Sequence, residues 1–327
     1  MRALGYLFLF CVSITSAFGA EKEAFVKIGK ESVWVRHKAA TRGASTVVLL
    51  NGLTYATRHW APFASAIERL NPDLGIVRYD MRGMGKTLLE GKLPVNYAIP
   101  HTDQVTHLKA ILDILGLKRV HLVGLSYGGG IGLAFAQTHP RMVDKLILMA
   151  PFTEALESQD ASIKKQIAWT RTTFPFNPAS DDELYDYFLR QTIYTTYPSA
   201  EPGILENPYK LEAVFRMVQG IRKFKAAEFL ANIPSGSVHL MVANQDQYIP
   251  QPVMDRFWAA LPKAARASRI NISYSEHKIP EAIPAFAAAW VIETLNNNAL
   301  SGGKVFSGNA QGFEARSGTL CINLPRP

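Results

Sequence analysis

The chain has 327 residues, 48% of them hydrophobic and 19% charged. That is enough apolar material to bury a large core, which excludes a disordered or collagen-like chain. Its two cysteines, Cys11 and Cys321, exclude a disulfide framework and a cysteine-based zinc site. The net charge of +8 invites a polyanionic partner.

Residues 1–20 read as a secretory signal. Arg2 is the only charge before Glu21, Leu4 to Val12 is apolar, and small residues run to Ala20. Ala17 and Gly19 fit cleavage after Gly19, with Thr15 and Ala17 as a second choice. An uncleaved anchor is the alternative, although the run falls short of the about 20 residues that a span needs. Cleavage removes Cys11 and leaves no internal disulfide. The protein is then exported, periplasmic or secreted, with no integral span. Residues 300–327 are rich in Gly, Ser and Asn and read as a flexible tail.

Between these ends, strands and helices alternate. Ala24 to Ile28 and Val33 to His37 are short alternating strands. Thr46 to Leu50 is a continuous apolar run, as in a strand buried on both faces. A helix follows from Pro62 to Leu70, then the strand Ile76 to Tyr79. Val105, Leu108, Ile111, Leu112 and Leu115 form one helical stripe closed by Gly116. The strand Val120 to Gly124 leads into a helix through His139, and Lys145 to Met149 is the sixth strand. After residue 233 come the strand Val238 to Val242, a helix near Val253 to Leu261, the strand Ile270 to Tyr274 and a helix from Glu281 to Asn296. The fold class is therefore α/β, a doubly wound, mostly parallel sheet of eight strands.

The alternation breaks over residues 152–232, which read as mostly helix. Ser180 and Glu183 fit a capping box. The segment holds 13 of the 34 aromatic residues. It is expected to be a helical cap inserted after the sixth strand, over the C-terminal edge of the sheet, where open α/β folds bind ligands. The core domain is then 21–151 with 233–299. Most of the cap aromatics serve its own core. Phe152 and Trp169 are candidates for the substrate pocket, with His59 and Tyr248 from the core.

The chemistry falls on three loops. Gly124-Leu125-Ser126-Tyr127-Gly128 is a G-x-S-x-G turn between strand and helix, which lifts a serine hydroxyl out of the sheet edge and aims a helix N-terminus at developing negative charge. A serine needs a base, and the base needs an orienting acid, in the chain order serine, acid, histidine. Asp246 lies on the loop after one late strand and His277 on the loop after the last. Glu154 is the competing acid. The other seven histidines all precede the last strand. The oxyanion hole is assigned to the backbone N–H groups of Leu53, in Asn51-Gly52-Leu53, and of Tyr127.

Gly83-Met84-Gly85-Lys86-Thr87 resembles a phosphate loop but lacks its first glycine, since Asp80 stands there. No dinucleotide pattern and no metal-ligand spacing is present, so no cofactor and no metal are expected.

Together with Tyr79-Asp80-Met81-Arg82-Gly83-Met84-Gly85 and the Asp246 to Pro250 loop, these pieces make the chain resemble the α/β-hydrolase fold superfamily, as an esterase- or lipase-like member with a serine nucleophile. The resemblance implies that Asp80 and Arg82 are scaffold. Asn51 stands where many relatives have histidine, and Glu276 where glycine often precedes the base. The nucleophile is not the aspartate of haloalkane dehalogenases and epoxide hydrolases.

The implied activity is cleavage of a small-molecule carboxylic ester or lactone. Aminopeptidase, acyl-transfer, perhydrolase and carbon–carbon bond hydrolysis remain open on the same residues, as does a non-catalytic ligand-binding protein. The cap holds nine Lys+Arg against eleven Asp+Glu, so the remainder carries +10. Those positive residues are scattered and match no nucleic-acid motif. Oligomeric state is not legible.

Overall fold

A computed structural model describes residues 20–87, 98–154, 157–200, 208–222, 224–296 and 300–311. The expected signal and cleavage sites lie outside them, as does the tail beyond residue 311.

Among the described residues, nine strands form one sheet. They are β1 (Lys22–Ile28), β2 (Glu31–Lys38), β3 (Thr46–Leu50), β4 (Gly75–Tyr79), β5 (Val120–Leu125), β6 (Val143–Met149), β7 (Val238–Ala243), β8 (Arg266–Ser273) and β9 (Lys304–Asn309). The order across the sheet is β1-β2-β4-β3-β5-β6-β7-β8-β9. β1 and β2 pair antiparallel, β2 meets β4 antiparallel, and every other pair is parallel. Every residue of β3, β4, β5 and β7 is buried, so these strands are mostly apolar.

Helices cover both faces and divide the core in two. One face packs α2 (His101–Ile114), α3 (Tyr127–Thr138) and α7 (Gln251–Ala260) around Leu108, Phe135 and Met254. The other packs α1 (Ala61–Leu70), α8 (Ile279–Ala282) and α9 (Pro284–Asn296) around Trp60, Phe63 and Trp290. Strand order reverses between β3 and β5, and the loops after these two strands meet there. Between β6 and β7 lie α4 (Glu157–Thr173), α5 (Asp181–Ala200) and α6 (Pro208–Gly220). Leu189, Ile193 and Val214 from these helices are buried and continuous with the first core. The capping box forms: Ser180 N–H donates to Glu183 at 2.7 Å, and Glu183 N–H donates to Ser180 Oγ at 3.2 Å.

Three expectations are corrected. The sheet has nine strands, because the start of the tail supplies β9. Its composition is polar, yet Phe306 is buried against Trp290 with ring centroids 5.5 Å apart. A Cβ at Gly308 would stand 2.5 Å from the Phe286 ring, so the glycine lets the strand lie flat on α9. Its order comes from the free edge of β8, which no local pattern reveals. The last helix is broken into α8 and α9, with Pro284 opening the second piece. The final core strand stops at Ser273, and Tyr274 takes φ 58°, turning the chain toward His277.

Candidate active site

Ser126 sits between β5 and α3 with φ 50° and ψ −117°, a conformation that costs on the order of 1–3 kcal/mol for a residue with a Cβ. The surroundings hold it there. Its N–H donates to Met149 at 3.0 Å, and its carbonyl accepts from Gly129 at 2.9 Å and Phe152 at 2.8 Å. Glycines make the turn possible. A Cβ at Gly124 would lie 2.7 Å from the Gly128 carbonyl, and one at Gly128 would lie 2.6 Å from the Asn51 carbonyl. The second contact presses the serine turn against the Asn51-Gly52-Leu53 loop.

That loop is anchored by the residue that replaces histidine. Asn51 is fully buried, donates Nδ2 to the Tyr79 carbonyl at 2.7 Å, and accepts from Trp60 Nε1 at 2.7 Å. Neither Leu53 nor Tyr127 donates its N–H to a backbone carbonyl among the described residues. Tyr127 is the first residue of α3, where amides lack an intrahelical acceptor. Both expected oxyanion donors are thus carried on abutting loops.

Asp246 and His277 meet across the same edge. His277 Nδ1 lies 2.8 Å from Asp246 Oδ2. The other carboxylate oxygen accepts the N–H groups of Tyr248 and Ile249, each at 2.8 Å. The Asp246 side chain is 3% exposed, so the loop fixes its direction. Nδ1 must carry the proton toward the carboxylate, which leaves Nε2 as an acceptor. Among the described residues no hydrogen bond joins Ser126 Oγ to this ring. Catalytic contacts are commonly long before substrate is bound. Glu154, the competing acid, pairs its carboxylate with Arg256, and its backbone forms an isolated antiparallel β-bridge with Lys225. Glu276 is exposed to solvent.

The pocket candidates divide. Tyr248 packs edge-on to the His277 ring at 5.0 Å. Phe152, on the loop after β6, is tied to the serine turn by its N–H, and its ring lies 5.8 Å from Phe224. His59 is half-buried on the loop after Leu53, where Nδ1 accepts from Ala56 N–H at 2.9 Å and the ring stacks on Tyr55. Trp169 is turned to solvent. It is 63% exposed on α4 and meets Phe174, with no described contact to Ser126, Asp246 or His277.

Sequence reasoning missed His101, Phe224 and Phe229. His101 packs edge-on to both rings at 5.2 and 5.0 Å, and the two phenyl groups stack. A Cβ at Gly130, one turn into α3, would stand 3.3 Å from Phe224, so this cluster borders the serine turn. Burial pushes the His101 pKa down against the pull of Glu228. The contacts span over a hundred residues, so no local signal could announce them.

Asp80 and Arg82 are structural in their contacts. Asp80 is buried and accepts from Thr57 N–H at 2.6 Å and Lys86 N–H at 2.8 Å. Gly85 has φ 54° and leaves no room for a side chain over the Asp80 carboxylate. The glycines that mimicked a phosphate loop thus serve an internal carboxylate. Arg82 pairs with Glu31 and Asp103. Among the described residues no group of three or more His, Cys, Asp or Glu is arranged to hold a metal ion.

Residues 45–279 match the family described as alpha/beta hydrolase fold. The chain is 34% identical over 113 residues to the Caulobacter vibrioides protein named "Putative carbamate hydrolase RutD", covering 35% of this chain and 39% of that one. It is 33% identical over 136 residues to 2-hydroxy-6-oxononadienedioate/2-hydroxy-6-oxononatrienedioate hydrolase 2 of Pseudomonas putida, covering 41% and 46%. These matches span less than half the length of either relative. Among solved structures, MGS-M2, an alpha/beta hydrolase enzyme from a Medee basin deep-sea metagenome library, superposes with a TM-score of 0.62 at 19% identity over 84% of this chain and 98% of that one. Naproxen esterase from Bacillus subtilis gives 0.56 at 18% identity over 85% and 92%.

Proposed function

The chain belongs to the α/β-hydrolase fold family, and from that premise we propose that it is an exported serine hydrolase that cleaves small carboxylic esters or lactones. Ser126 is the nucleophile, His277 the general base and Asp246 its orienting acid. The observation that carries this reading is the 2.8 Å contact between His277 Nδ1 and a buried Asp246 carboxylate, on the same sheet edge as a serine in a strained turn.

In the proposed reaction Ser126 Oγ bonds to the carbonyl carbon while its proton passes to His277 Nε2. The carbonyl oxygen takes the negative charge and accepts from Leu53 and Tyr127 N–H. Each such donor is worth about 3 kcal/mol in the transition state. The C–O bond to the leaving group breaks, and the alkoxide takes the proton from Nε2. Water then adds to the acyl-enzyme with the same proton transfers and releases the acid and free serine. Asp246 stays ionised throughout and stabilises the imidazolium.

An organophosphonate is expected to label Ser126, and Ser126→Ala to lower p-nitrophenyl ester turnover by roughly 10,000-fold or more. Unlabelled Ser126, or full turnover by Ser126→Ala, overturns the reading. Carbon–carbon bond hydrolysis is the second reading, favoured by the name of the Pseudomonas putida relative. A substrate panel of esters, lactones, carbamates and oxo-dienoates, with Ser126→Ala as the blank, separates the two. Export is tested by fractionating cells and sequencing the N-terminus of the mature chain, for which Ala20 is the expected first residue. A product that starts at Met1 in the cytoplasm overturns it.

A further inference from the structure

Strand β4 carries a buried cation, Arg78, between the buried Val77 and Tyr79. Its side chain is 6% exposed, so water does little to neutralise it, and leaving such a charge unpaired is costly. A second arginine stands beside it. Arg36 on β2 is the register partner of Arg78, and like charges opposite one another on neighbouring strands repel. One carboxylate answers both. Glu21 Oε1 accepts from Arg78 Nε at 3.1 Å and from Nη2, and Glu21 Oε2 lies 3.0 Å from Arg36 Nη2. Arg36 has Glu23 as well. For Arg78, Glu21 is the only carboxylate in ion-pair range among the described residues, and it stands 57 residues away in the chain.

The remaining arm of Arg78 reaches the loop after β3. Nη1 donates to the buried Thr57 carbonyl at 3.2 Å. Thr57 N–H donates to the Asp80 carboxylate at 2.6 Å, and Asn51 donates to the Tyr79 carbonyl at 2.7 Å. Three consecutive residues, 78 to 80, therefore grip both ends of the segment 51–57, which carries Leu53. Trp60 closes the segment by donating to Asn51 Oδ1 at 2.7 Å. The Arg78 grip differs from the other two in needing a distant counter-ion. Its guanidinium uses one nitrogen on Thr57 and the other two on Glu21, a division that the rigid fork of an arginine allows.

We propose that Glu21 and Arg78 are positioning residues for the oxyanion hole: their ion pair holds the Thr57 end of the loop and, through it, the Leu53 N–H. The inference rests on the hydrolase reading, in which that N–H stabilises the oxyanion. Neither side chain touches a reacting atom. What the pair supplies is direction, and a misplacement of about 1 Å in a catalytic group costs up to roughly 100-fold in rate. The residue just before β1, at the edge of the sheet, thereby acts on chemistry at the loop after β3.

The test is Glu21→Gln in the full chain, which keeps the size of the side chain and removes its charge. For a p-nitrophenyl ester, kcat should fall about tenfold while KM stays within about twofold of the parent. The diagnostic readout is the matching thionoester, whose sulfur accepts hydrogen bonds poorly. The parent should turn over the oxoester far faster than the thionoester, and Glu21→Gln should narrow that ratio, because the lost rate is oxyanion stabilisation. A merely structural defect lowers both esters alike. Glu23→Gln removes a partner of Arg36 and Lys86 only, and it should keep the parental kcat and ratio. Should Glu21→Gln not fold, Arg78→Met decides: it removes the grip without leaving a buried charge, and it should show the same fall in kcat and in the ratio. The proposal is overturned if folded Glu21→Gln, or Arg78→Met in its place, keeps the parental kcat or the parental ratio. It is overturned equally if Glu23→Gln does as much damage, which would assign the effect to the general charge of β1. Organophosphonate labelling of Ser126 keeps the two readings apart. An unlabelled parent overturns the hydrolase reading and this inference with it, whereas labelling that is equally fast in the parent and in Glu21→Gln overturns the inference alone.

Discussion

His277 lies at the C-terminal edge of the sheet, while His121 and His239 lie near the N-terminal ends of β5 and β7, and all three are buried. Their surroundings differ in how the ring nitrogens are held. His277 has a carboxylate at 2.8 Å. His239 hydrogen-bonds through Nδ1 to Ser268 Oγ at 2.7 Å, and its Nε2 is buried without a described partner. Burial pushes its pKa down to about 3, and the Lys145 charge and His121 push the same way. His121 is pushed down to about 4, by burial first, against the pull of Asp144 and with the push of Lys145 and Arg119. Burial alone therefore does not make a histidine a base. A proton carrier needs one ring nitrogen held by a fixed acceptor and the other open to the reaction. At the opposite end of the same sheet the imidazoles are neutral filling.

The strongest way to break this contrast is to remove the carboxylate. Asp246→Asn keeps the size of the side chain but favours the wrong tautomer of His277, and it should lower kcat by roughly 10,000-fold while the melting temperature moves far less. A steady-state assay beside a thermal melt checks this. A modest fall in kcat would put His277 on a par with the structural histidines. Next in size is a change at the far end of the molecule. Phe306→Ala empties the site between β9 and Trp290 and should cost about 3 kcal/mol of stability, read from urea unfolding, with kcat unchanged. A loss of activity in the folded variant would show that the two ends are coupled.

The structural histidines should write themselves into the acid stability. Both have native pKa values far below the about 6.5 of the unfolded chain. As pH falls below 6.5 the unfolded state takes up protons that the native state refuses. Their stabilising effect is complete above pH 6.5 and is lost toward pH 4 and 3, each group contributing up to about 1.4 kcal/mol per pH unit. Urea midpoints between pH 7 and 5 should show the slope, and His239→Gln should reduce it by one proton's worth. An unchanged slope in that variant would show that His239 is protonated in the native protein.

The contrast between the two ends was only half legible in the sequence. The serine turn, Asp246 and His277 are announced by residue type, order and the strands before them, because local geometry creates that chemistry. The strand β3 is announced by its unbroken apolar run, and β4 to β7 by short, mostly apolar segments, since parallel strands bury both faces. The position of Phe306 was illegible: a Gly- and Ser-rich segment becomes a strand only where β8 offers an edge. The exposure of Trp169 was illegible for a related reason. Aromatic composition marks residues 152–232 as rich in rings, but only the packing of α4 shows which rings turn outward. His121 and His239 could be placed in strands, yet their depressed pKa values depend first on burial and then on charges such as Lys145, which reaches them only across neighbouring strands.

The finest test acts on that neighbour. Lys145 is half-buried on β6, between the strands that carry the two histidines. Burial lowers its own pKa, against the pull of Asp144. Lys145→Met removes the second-largest cause that holds His239 down and one of the lesser causes at His121. Both native pKa values should rise toward the unfolded value. The gap in proton uptake between unfolded and native states then narrows, and the loss of stability from pH 7 to 5 should shrink. The change should be small, about 0.1 kcal/mol between pH 7 and 5 and rising toward about 0.5 kcal/mol only near pH 4, because burial remains the first cause at both sites. Asp144 acts in the opposite sense, so Asp144→Asn should steepen the same loss. Urea midpoints for the two variants, compared at both pH values, carry the sign. If Lys145→Met steepens the pH dependence, Lys145 stabilises these rings through packing of its stem, and its charge is not what keeps them neutral.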